Sequence, residues 1–161
     1  MKNPIELISK FRVCDVMRGD VVTLRTDQTM SHAASVLHSY GVTGAPVVDE
    51  EGQCVGVLSA TDFVDRETTA SSIPALAALA FDSMYIKKTF SPPESIESNI
   101  VKAYMTTDVI TADANTPLIK AARMLCEERI HRLIVVDEQN RPLGVVSSLD
   151  IVASMVVAIE E

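Results

Sequence analysis

Apolar side chains at Met30, Ala33, Ala34 and Leu37 keep the i, i+3, i+4, i+7 spacing of a helix with one covered face. They predict a helix from about Thr29 to Tyr40, stopped by Gly41. The period then changes. Ala45 to Val48 and Val55 to Ser59 are short apolar runs on either side of Asp49, Glu50, Glu51 and Gly52, which predicts two strands joined by a hairpin with the glycine available for positive φ. A β-rich run from Val21 to Leu24 precedes the helix and a last helix follows Ser59, so the predicted order is β-α-β-β-α.

The pattern returns without a gap 88 positions later. Thr43 to Asp62, TGAPVVDEEGQCVGVLSATD, is matched by His131 to Asp150, HRLIVVDEQNRPLGVVSSLD, and the helix stripe recurs as Leu118, Ala121, Ala122 and Leu125. Val13, Met17, Asp20, Thr23, Gly56, Ser59 and Asp62 recur as Val101, Met105, Asp108, Thr111, Gly144, Ser147 and Asp150. The predicted organisation is an N-terminal helix over 1–12, opened by Asn3 and Pro4, a first repeat over 13–66, a connector over 67–100 and a second repeat over 101–159. Within the connector, Ile73 to Phe81 reads as a small-residue apolar helix, a candidate for a dimer contact.

Composition narrows the function. Of 161 residues 47% are hydrophobic and only 4% aromatic, so the core is aliphatic. A net charge of -8 argues against general nucleic-acid binding, which needs a basic face. No apolar run is long enough to span a bilayer and the N-terminus lacks a secretory signal's apolar core, so the expected location is cytoplasmic, away from any membrane. Cys14, Cys54 and Cys126 have neither disulfide nor zinc-ligand spacing and are expected to be reduced, buried thiols. Met17, Met30, Met105 and Met124 are expected in the core, and His32 and His38 on the surface.

The paired β-α-β-β-α copies, their Val16-Met17 and Tyr104-Met105 openings, HRLIVVDE and the Gly-h-h-Ser-x-x-Asp endings together resemble a tandem pair of cystathionine β-synthase (CBS) domains, a Bateman module. The resemblance runs from Val13 to about Val157. It implies a mixed α/β (α+β) fold with two repeats packed about a pseudo-twofold axis, two clefts between them, and a homodimer. It also implies a stand-alone regulatory module that binds an adenosine-containing ligand (AMP, ADP, ATP or S-adenosylmethionine) and signals by conformational change to itself or to a regulated protein. Neither cofactor nor metal is implied. No grouping of nucleophile, base and oxyanion donors is visible, so an enzyme is not expected.

A ribose with phosphates needs a carboxylate for its vicinal hydroxyls, short donors at a helix start and a cation. In the second copy Asp150 suits the ribose, with Ser147 beside it. His131 and Arg132 resemble the basic pair that touches phosphates in nucleotide-binding members, and Thr111 and Ile130 resemble the wall that receives adenine. Ser-x-x-Asp is also close to a capping box, which needs no ligand. In the first copy Ser59, Thr61 and Asp62 keep the ribose and phosphate end, while Thr23, Val42 and Pro46 keep an adenine wall. Thr43 and Gly44 replace the basic pair there, so a phosphate would need charge from Arg18, Lys120 or a partner chain. The alternative is a structural or protein-interaction pair with no functional ligand site.

Overall fold

The computed structural model describes residues 6, 8–64 and 100–160. The expected N-terminal helix lies largely outside the described residues, as does all of the connector except Ile100, including Ile73 to Phe81.

Each copy builds one three-stranded sheet with helices. In the first, β1 (Leu24–Arg25), α2 (Met30–Tyr40), β2 (Gly44–Val48), β3 (Cys54–Ser59) and α3 (Ala60–Val64) follow a short helix α1 (Val13–Val16). In the second, a 3-10 turn at Val101–Ala103 precedes β4 (Thr111–Asp113), α4 (Leu118–Glu127), β5 (Arg132–Val136), β6 (Pro142–Ser147) and α5 (Ser148–Glu160). The central strand of each sheet pairs in parallel with the strand before the helix and antiparallel with its hairpin partner. The predicted order β-α-β-β-α therefore holds in both copies.

Local chemistry explains the elements. The Thr29 hydroxyl accepts from the His32 N–H to start α2, and Gly41 ends it at φ 62°. Met30, Ala33, Ala34 and Leu37 form its buried face. In both hairpins an aspartate carboxylate gathers the turn: Asp49 accepts from the Glu51 and Gln53 N–H groups, and Asp137 from those of Gln139 and Arg141. Gly52 and Asn140 supply the left-handed residue, at φ 80° and 60°. The strand expected over Val21 to Leu24 is shorter and later than predicted. Thr23 would stand opposite Pro46, as Thr111 stands opposite Ile134, but Pro46 has no N–H with which to extend the ladder.

The compact units do not coincide with the copies in sequence. Met1–Val21 joins Ile110–Glu161 in one unit, and Val22–Val109 forms the other. The segment that opens the first copy thus packs on the body of the second. Val13 is fully buried in a core with Ala112, Leu118, Ala121, Leu133 and Val146, and Phe11 and Met17 pack against that core. Arg18 and Val145 exchange backbone hydrogen bonds at 2.9 and 3.0 Å. The other unit is built the same way. Val101 is buried with Leu24, Leu37, Val47 and Leu58, Met105 packs against them, and Thr106 and Val57 exchange backbone hydrogen bonds at 2.9 Å.

Met17, Met30, Met105 and Met124 are core or packed against it, and His32 and His38 are exposed, as expected. The cysteines differ from expectation. Cys54 is buried, but Cys14 and Cys126 are exposed, because Val13 and Leu125 beside them take the inward positions. Burial raises the Cys54 thiol pKa, and its Sγ donates to the Gly56 carbonyl oxygen at 3.6 Å. Among the described residues no helix is long and apolar enough to cross a membrane.

Candidate functional site

In the unit that carries the second copy, the starts of β4 and β5 and the end of β6 meet at one edge of the sheet. Thr111 begins β4 opposite Ile134, and Arg132 begins β5 opposite Ser147. Ile130 donates its N–H to the Leu125 carbonyl oxygen, which closes the helix end, and its side chain packs against the core. Exposed His131 accepts from the Ser148 N–H through its carbonyl oxygen at 3.0 Å. The fold thus brings Thr111, Ile130, His131, Arg132, Ser147 and Asp150 to the same end of one sheet.

Ser147 and Asp150 form a reciprocal pair at the start of α5. Asp150 Oδ2 accepts from the Ser147 N–H at 2.8 Å and from its hydroxyl at 2.5 Å, and Ser147 Oγ lies 3.1 Å from the Asp150 N–H. This is capping-box geometry, so the motif has a structural role of its own. It uses one carboxylate oxygen. The other, Oδ1, faces Arg18 Nε at 3.3 Å. Burial pushes the Asp150 carboxyl up, but the Ser147 hydroxyl, the Ser147 N–H and Arg18 outweigh it and hold it below its ordinary value.

Arg18 corrects an expectation. Its charge is expected, with Lys120 or a partner chain, as a reserve for the first copy, yet the exchanged opening delivers it to the second. The signal was available in the paired openings, where Arg18 and Thr106 hold the same position in the repeat, but local patterning does not say which body an opening joins. The second-copy edge therefore holds Arg18 and Arg132 with His131, and the first-copy edge holds Thr106, Gly44 and Thr43 at the same three positions.

The first-copy residues are grouped less completely. Ser59 Oγ lies 2.6 Å from Thr61 Oγ1, and Asp62 Oδ2 accepts from the Ser59 N–H at 2.6 Å and its hydroxyl at 3.1 Å. Gly44 pairs with Ser59, as Arg132 does with Ser147. Pro46 is buried in the central strand, opposite Val57, while exposed Thr23 stays outside the sheet. Half-buried Val42 donates its N–H to the Leu37 carbonyl oxygen. Among the described residues no group of three or more His, Cys, Asp or Glu side chains is placed to hold a metal ion.

Comparison with known proteins adds the family. The CBS domain family matches residues 13–68 and 101–157. The chain is 27% identical over 137 residues to an inosine-5'-monophosphate dehydrogenase from Methanocaldococcus jannaschii, a match that takes in 85% of this chain and 22% of that protein's length. The CBS domain of a membrane protein from Sphaerobacter thermophilus is similar with a TM-score of 0.70 and 25% identity, over 93% of this chain and 91% of that one. CBSX2, of Arabidopsis thaliana, is similar in its complex with AMP, with a TM-score of 0.69 and 25% identity over 94% and 99% of the two chains.

Proposed function

The chain belongs to the CBS domain family as a tandem pair, and from that premise we propose that it is a regulatory module that takes an adenine nucleotide at the second-copy edge. Asp150 accepts from the ribose hydroxyls, Arg132 and His131 meet the phosphate with Ser147 at the helix start, and Thr111 and Ile130 flank the base. The observation that carries this reading is Asp150, held by its cap with Arg18 on its outer oxygen, at the sheet end where Arg132 pairs with Ser147 in the ladder. The AMP complex of CBSX2 supports the ligand class. The first-copy edge, without the three cationic positions, suits a less charged adenosyl compound such as S-adenosylmethionine.

Because the matched relatives include enzymes of which this chain spans a small part, the reading concerns the CBS pair and not their reactions. A second copy of the chain is the proposed partner, supported by exposed Leu149, Val152, Val156, Val157 and Ile159 along α5. Isothermal titration with AMP, ADP, ATP and S-adenosylmethionine tests the ligand. We expect AMP-class binding that Asp150→Ala and Arg132→Ala each weaken; absent binding by the wild-type protein, or binding indifferent to both substitutions, overturns the proposal.

One observation favours a purely structural pair. The Ser147/Asp150 capping box is complete without a ligand. That reading predicts no thermal stabilisation by any adenylate, whereas a ligand at about 100 times its Kd adds about 2.7 kcal/mol to the folded state.

A further inference from the structure

We propose that Arg18 is the residue that selects a phosphorylated adenosine over a neutral one at the second-copy edge, an assignment that rests on the nucleotide reading above. Three observations carry it. First, the Arg18 backbone is fixed. It exchanges two hydrogen bonds with Val145, and Met17 beside it lies against Gly144, where an added Cβ would stand 2.7 Å from Met17 Sδ. The guanidinium therefore springs from an anchored bridge on the sheet.

Second, the side chain engages Asp150 through Nε alone. Among the described residues its two Nη groups have no hydrogen-bond partner. The acid is largely enclosed, at 13% exposure, and the cation lies outside it, at 76%. An arginine held at Nε and open at both Nη groups retains the fork that grips a phosphate with two parallel N–H bonds.

Third, the arrangement belongs to one copy. Thr106 holds the same backbone bridge with Val57 in the other unit but brings no charge.

The consequence is a discrimination based on charge. A ribose that approaches Asp150 must share Oδ1 with Arg18. A neutral adenosine meets that competition and gains nothing from the Nη groups. A nucleotide offers its 5′ phosphate to the same guanidinium, so the residue that competes for the acid becomes a ligand contact. Phosphorylated adenosines are rewarded and neutral ones penalised by a single side chain.

Parallel calorimetric titrations of the full chain with AMP and with adenosine test the assignment. Arg18→Gln is expected to weaken AMP about tenfold or more, the loss of a charge-assisted phosphate contact. Adenosine affinity is expected to stay the same or rise, and Arg18→Lys to recover part of the AMP loss, since it returns the charge without the fork. A wild-type protein that binds AMP, with an AMP-to-adenosine affinity ratio unchanged in Arg18→Gln, overturns this assignment alone. A wild-type protein that binds neither compound overturns the nucleotide reading and this assignment with it.

Discussion

Gly144 lies directly beneath Met17: a Cβ at Gly144 would stand 2.7 Å from Met17 Sδ, and 2.9 Å from the Arg18 carbonyl oxygen. The sulfur can swing aside, but the carbonyl belongs to backbone held by the Val145 bridge. Gly144→Ala should push the opening segment off the sheet, at a cost of about 1–3 kcal/mol as overpacking. It should also weaken AMP, because Arg18 moves with that backbone. Gly56→Ala meets Met105 and the Thr106 carbonyl oxygen in the same way and should lose comparable stability without changing AMP affinity at the second-copy edge. Denaturant melts paired with titrations separate the two; a Gly144→Ala protein as stable as wild type would count against the close approach.

Acid should reveal the Asp150 cap. Its folded-state pKa lies below the ordinary value of 3.8, so its contribution to stability is present above that value and is lost as pH falls through the depressed folded value. Asp150→Asn should therefore be less stable than wild type at pH 7, and the gap should close as pH drops below 3.8. Ser147→Ala removes the hydroxyl from both directions of the pair and should cost about 1 kcal/mol at neutral pH. A stability gap between wild type and Asp150→Asn that stays constant down to pH 2 would rule out the linkage.

Helices α2 and α4 end alike but on different residues. Gly41 closes α2 at φ 62°, and Arg129, at the same place in the repeat, follows α4 at φ 54°. Gly41→Ala puts a Cβ into the left-handed region and should destabilise by about 1 kcal/mol. Arg129→Gly relieves the equivalent strain and should have the opposite sign, reduced by the entropy that glycine adds to the unfolded chain. Urea midpoints at unchanged slope report both.

Val13 and Val101 are each fully buried in the unit built on the other copy's body. Val13→Ala and Val101→Ala should each cost about 2 kcal/mol, the transfer and cavity contributions of two methyl groups. Amide exchange locates the damage. Val13→Ala should raise exchange in β5 and β6, and Val101→Ala in β2 and β3; increased exchange confined to each valine's own copy would contradict the swapped packing.

Elements set by neighbours along the chain were legible in the sequence. The stripe from Met30 to Leu37 declared α2, and Gly41 and Gly52 sit in the left-handed conformations their positions suggested. The pairing of Ser147 with Asp150 also followed from spacing, since three residues bring a side chain back to its own helix start. What escaped depends on contacts between distant segments. Hydrophobicity marks Met17 as a core residue but carries no information on which sheet covers it, so Arg18 reads, beside Lys120 and a partner chain, as one of the charges a phosphate in the first copy would need. Pro46 read as one more apolar residue, although its missing N–H shortens the strand beside it. Cys126 looked like a core thiol because it adjoins Leu125, yet one step along a helix turns a side chain by about 100°.

The exchanged openings also govern how this chain can be divided. A cut anywhere between the copies would yield two pieces, each bearing the valine plug for the other's core and lacking its own. Neither half carries the complete core of its own sheet, whereas the two together supply both. The chain is therefore a natural candidate for split-protein complementation, in which binding between the halves and their folding are one event.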